Sequence, residues 1–79
     1  MAWRVVEHAD RSWHVTVAAE RRGNSAQWSL VFSFRSAPPD KRSFWVPYPL
    51  SSLSRSALFA QAEQISNETL AGLVAEHDL

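Results

Sequence analysis

The chain begins with alternation and ends with helical periodicity. Trp13, Val15 and Val17 alternate with His14, Thr16 and Ala18. Trp28, Leu30, Phe32 and Phe34 alternate with Ser29, Val31, Ser33 and Arg35. A period of two, rich in β-branched and aromatic residues, marks a half-buried strand. Between the two runs stands Arg21-Arg22-Gly23-Asn24-Ser25. Gly accepts positive φ without a Cβ clash, so Gly23-Asn24 suits a two-residue type I′ or II′ hairpin turn. That turn pairs Arg22 with Ser25, Val17 with Leu30, Val15 with Phe32 and Trp13 with Phe34. These apolar residues then share one side of the sheet, whereas a slip of one residue would divide them between two.

Trp3-Arg4-Val5-Val6-Glu7 reads as an earlier strand, joined through His8-Ala9-Asp10-Arg11. A two-residue loop at Ala9-Asp10 would set Trp3 and Val5 opposite Thr16 and His14, on the wrong face. A loop of three or five residues sets them opposite Val17 and Val15, so an odd loop that can carry a bulge is expected. Ser36-Ala37-Pro38-Pro39-Asp40-Lys41 is a breaker, and Arg42–Val46 follows as a fourth strand. Pro47 and Pro49 lack the donor a central strand needs, which makes this an edge strand ending near Pro47. Either Phe44 and Val46 or Trp45 points to its core side.

From Ser51 the period changes. Leu58, Ala62 and Ile65 recur at helical spacing, as do Leu70, Leu73 and Val74, but the two stripes are out of phase across the join. Ser66 and Asn67 are good N-cap residues and Glu68 falls in the next turn. Two helices are expected, at about 54–64 and 67–77, although a kink in one helix would also satisfy the phase break. Strands first and helices last imply an α+β domain. The expected fold is a four-stranded antiparallel meander, order 1-2-3-4, over residues 1–48. A helical tail over 51–79 packs on one sheet face. The length of 79 residues suits one small domain.

Charge and composition narrow the function. Eight Lys and Arg balance eight Asp and Glu. All eight bases lie in residues 1–55 with four of the acids, and the other four acids lie in 56–79, so the halves carry +4 and −4. A basic sheet packed on an acidic tail explains this split; partner binding is the other explanation. There is no Cys, which removes disulfides, thiolate metal sites and cysteine nucleophiles, and which suits a reducing compartment. No apolar stretch is long enough to span a membrane. His8, His14 and His77 have no metal-ligand spacing, the two glycines form no phosphate-binding loop, and the carboxylates are scattered. Asn67-Glu68-Thr69 matches a glycosylation sequon but is better explained as a helix start. No catalytic, metal-binding or cofactor-binding residue is therefore assigned, and an enzyme is not expected.

The outer sheet face is more informative. By parity it carries Arg4, Val6, His14, Thr16, Val31 and Arg35, joined by Trp45 if Phe44 points inward. An apolar strip rimmed by Arg on a face that would normally be polar suggests an interface with a second copy or another protein. Short chains also gain stability by oligomerising. The alternative is a sheet platform for single-stranded nucleic acid, using Arg4, Arg21, Arg22, Arg35, Arg42 and Trp45, since open sheets bind unpaired bases by stacking and Arg contacts. The zero net charge counts against it. The expectation is a cytoplasmic interaction module that meets itself, as a homodimer, or another protein, through the outer sheet face or an edge strand.

Overall fold

The computed structural model describes residues 3–21, 23–38 and 42–77. The strands are β1 (Arg4–His8), β2 (Arg11–Glu20), β3 (Trp28–Ser36) and β4 (Ser43–Ser52), and they precede α1 (Arg55–Ala62) and α2 (Asn67–His77). They form one antiparallel sheet in the order β1-β2-β3-β4. Both helices pack on the same face, so the α+β meander with two C-terminal helices is the observed fold.

The faces of β2 and β3 follow the alternation, but their register differs from the tight-turn expectation. Val15 pairs with Phe34, Val17 with Phe32 and Trp13 with Ser36. The shift is two residues, which leaves every side chain on its expected face. The hairpin loop is longer than Gly23-Asn24. Small and polar residues at 24–27 favour strand poorly, and the Ser25 hydroxyl accepts the Gln27 N–H at 3.1 Å, which holds a local turn instead. Gly23 does take positive φ, at 45°.

The first hairpin corrects the expectation of an odd loop. Ala9 and Asp10 alone form the loop, both with positive φ (52° and 61°), as a type I′ turn requires. Arg4 therefore pairs with Val15, Val5 with His14 and Val6 with Trp13. Val6 joins the core and Val5 faces outward, half exposed at 50%. Trp3 lies in the bend before β1, where its N–H donates to the Val15 carbonyl at 2.8 Å. Its ring returns to the core side and stacks on Phe32, centroids 6.0 Å apart.

On β4, Phe44 faces inward, stacked on Phe34 at 5.0 Å, and Trp45 faces outward. The strand also runs past Pro47 to Ser52, further than expected. Pro47 sits opposite Val31 on an edge strand, where a missing donor is tolerated. Pro49 lies in an irregularity: Leu30 pairs with Tyr48 but Ser29 pairs with Ser51, which leaves Pro49 and Leu50 as extra residues.

The helix boundaries agree with the phase break. The Ser54 hydroxyl caps α1 by accepting the Ala57 N–H at 3.3 Å, and the Ser66 hydroxyl caps α2 by accepting the Thr69 N–H at 3.1 Å. Leu58, Ala62, Leu70 and Val74 close the core over Val6, Trp13, Val15, Leu30, Phe32, Phe34 and Val46. The Trp13 indole N–H is buried with no hydrogen-bond partner among the described residues, its ring set edge-on to Phe44 at 5.4 Å.

Candidate functional site

With both helices on one face, the other face has no layer over it among the described residues. The register sets three rows of side chains across it. One row runs Val5, His14, Arg35, Ser43; the next Thr16, Ser33, Trp45; the third Ala18, Val31, Pro47. The rows follow from the period of two, which sends alternate side chains to opposite faces. Trp45 is 62% exposed, yet Val31 in the neighbouring row is only 4% exposed. Its cross-strand neighbours Ala18 and Pro47 flank it. The result is an apolar strip ending at an exposed indole, with Val5 at the opposite edge. The charged groups on this face have mixed sign. Arg35 is exposed beside His14, as are Glu7 and Glu20, and Glu7 accepts a hydrogen bond from the Ser12 hydroxyl.

Five of the seven residues expected on this face are there: His14, Thr16, Val31, Arg35 and Trp45. Arg4 and Val6 are not, because the two-residue turn reverses the parity of β1. Arg4 turns to the helices, where one guanidinium nitrogen donates to the Glu63 carbonyl at 2.8 Å and another to the Ile65 carbonyl and to Asn67 Oδ1. Those carbonyls end α1 and lead into α2, where a helix leaves acceptors unsatisfied. The guanidinium carbon also lies 4.2 Å from the Trp3 ring centroid. Arg4 is thus a structural clamp on the helix junction. Its signal is a contact between residues about sixty positions apart, which no local pattern contains.

The set proposed for nucleic acid is not gathered on one surface. Arg4 is on the helix side and Arg35 and Trp45 are on the outer face. Arg21 lies at the end of the sheet, its guanidinium carbon 4.9 Å from the Trp28 ring centroid. The Arg42 backbone pairs with Ser36, whose hydroxyl accepts the Arg42 N–H at 2.9 Å. Arg22 lies outside the described residues. A contributor that parity reasoning missed is Arg55, which also reaches the Trp28 ring at 4.9 Å.

Among the described residues no group of three or more His, Asp or Glu is placed to hold a metal ion. Among the described residues no helix is long and apolar enough to cross a membrane. His77 ends α2 with its ring stacked on Phe44, centroids 4.5 Å apart and planes 10° from parallel, which explains it by packing. No protein-family model matches the chain, and no curated protein or solved structure shows significant similarity to it.

Proposed function

We propose that the chain is a small non-enzymatic interaction module that self-associates through the outer face of its sheet. The observation that carries this reading is Trp45, 62% exposed at the end of the strip formed by Ala18, Val31 and Pro47. An exposed indole beside apolar neighbours offers a partner apolar area to bury, and aromatic residues are enriched at interface centres. A second copy is the natural partner, because a zero net charge offers little long-range repulsion between copies and a small core gains from oligomerisation. The lack of cysteine is in keeping with a reducing compartment such as the cytoplasm.

The strip's size sets the expected strength. The three rows, one crossing four strands and two crossing three, cover at most about 14 Å by about 14 Å, a fraction of the roughly 800 Å² each partner contributes to a standard interface. Association is therefore reversible and concentration-dependent. In sedimentation velocity over a hundredfold concentration range, the mean mass rises toward the dimer, and Trp45→Glu returns it to the monomer with an unchanged far-ultraviolet dichroism spectrum. A wild-type chain that stays monomeric across the range overturns the proposal.

A further inference from the structure

Trp28 begins β3 at the end of the sheet where β2 runs out and α1 starts. The guanidinium carbons of Arg21 and Arg55 each lie 4.9 Å from its ring centroid, so the two carbons are within 9.8 Å (twice 4.9 Å) of each other. Each guanidinium is attracted to the same electron-rich indole, which anchors two like charges at one residue. Both side chains are exposed, and neither forms an ion pair or side-chain hydrogen bond among the described residues.

The neighbouring acids do not relieve this concentration of charge. Glu20 is paired opposite Ser29, on the outer face. The first turn of α1, which Arg55 opens, contains no acid. Glu63 caps the far end of that helix, about 12 Å along its axis from Arg55. A cation at a helix start also faces the positive end of the backbone dipoles, so Arg55 gains nothing from its position unless an anion joins it.

We propose that Arg21 and Arg55, held on Trp28, bind a phosphate group. A carboxylate is satisfied by one planar guanidinium fork, whereas a phosphate offers oxygens on several sides and enough charge to engage two forks at once. The site is separate from the outer face, and the phosphate has two sources to distinguish: a free phosphate compound or the backbone of a single-stranded nucleic acid.

The test titrates the whole chain with inorganic pyrophosphate and, separately, with a single-stranded dT oligomer. Calorimetry follows binding at fixed ionic strength, with acetate as the carboxylate control. Pyrophosphate binds saturably and acetate does not. Arg21→Gln and Arg55→Gln each weaken pyrophosphate binding at least tenfold, while Arg35→Gln leaves it unchanged. Tighter oligomer binding that is lost in the same two variants assigns the phosphate to a nucleic-acid backbone; equal or weaker oligomer binding assigns it to a free phosphate compound. The proposal fails if wild-type pyrophosphate binding does not saturate, or if Arg35→Gln weakens it as much as the other two.

Discussion

Arg4 does a job at the residue scale that its place in an alternating strand hides. Its guanidinium satisfies carbonyls at the end of α1 while its central carbon lies 4.2 Å from the Trp3 ring centroid. Hydrogen bonds from a charged donor contribute about 1.5–3 kcal/mol when well shielded, and the partial exposure here lowers that. Arg4→Ala is expected to cost about 1–2 kcal/mol in urea unfolding. Arg4→Lys should recover less than half of it, because a single ammonium cannot span the same acceptors. The neighbouring strand offers a sharper contrast. Val15 is fully buried at 0% exposure and Thr16 is exposed on the opposite face. A carboxylate in place of Val15 loses its hydration without a partner, a penalty of several kcal/mol that rivals the roughly 5 kcal/mol stability of a small domain. Val15→Asp should therefore abolish cooperative unfolding, and Thr16→Asp should change stability by no more than about 1 kcal/mol. Equal effects of the two would mean that the faces of β2 are misassigned.

At the scale of elements, the first hairpin turn is the place where local chemistry and tertiary structure disagree. Ala9 and Asp10 both occupy the left-handed region, which disfavours residues with a Cβ by about 1–2 kcal/mol in the case of Ala. The double substitution Ala9→Asn with Asp10→Gly installs the preferred type I′ pair. It should raise stability by about 1 kcal/mol, read as an increase in the urea midpoint at constant slope. This conflict explains why the sequence was only partly legible. The alternation at Trp13–Val17 and Trp28–Phe34 gave the two central faces, because parity survives a two-residue change of register. The phase break between Ile65 and Leu70 gave two helices, because it is a local property. The face of β1 was not legible. Its short strand offers Trp3 and Val5 on one parity and Val6 on the other, and the two-residue turn at Ala9-Asp10 sets the parity that turns Arg4 toward the helix carbonyls. The outer-face site was legible wherever it depends on β2 and β3, as at His14, Thr16, Val31 and Arg35. It was displaced on β1, where Val5 takes the place expected for Val6.

For the whole molecule, the opposed charges of the two halves are less telling than the shape of the sheet. The bases spread over the helix side, the sheet end and the outer face, and the pair at Trp28 is their one close association with a shared ring among the described residues. A dimer built on the Trp45 strip should hold as sodium chloride rises from about 0.05 M to about 0.5 M, since screening acts on charges and not on apolar contact. Loss of the dimer over that range, followed by sedimentation, would shift the interface to the charged rim. The edges of the sheet set a further limit on assembly. The outer rim of β4 is broken by Pro47 and disturbed at Pro49, whereas β1 is a five-residue strand with an ordinary backbone. An unpaired edge is a template for strand addition, and proline spoils that template. Two copies that met along β1 would therefore present only proline-bearing rims to a third. Fibrous growth by successive strand pairing would stop at its first step, so this small sheet can stay half uncovered without seeding a cross-β stack.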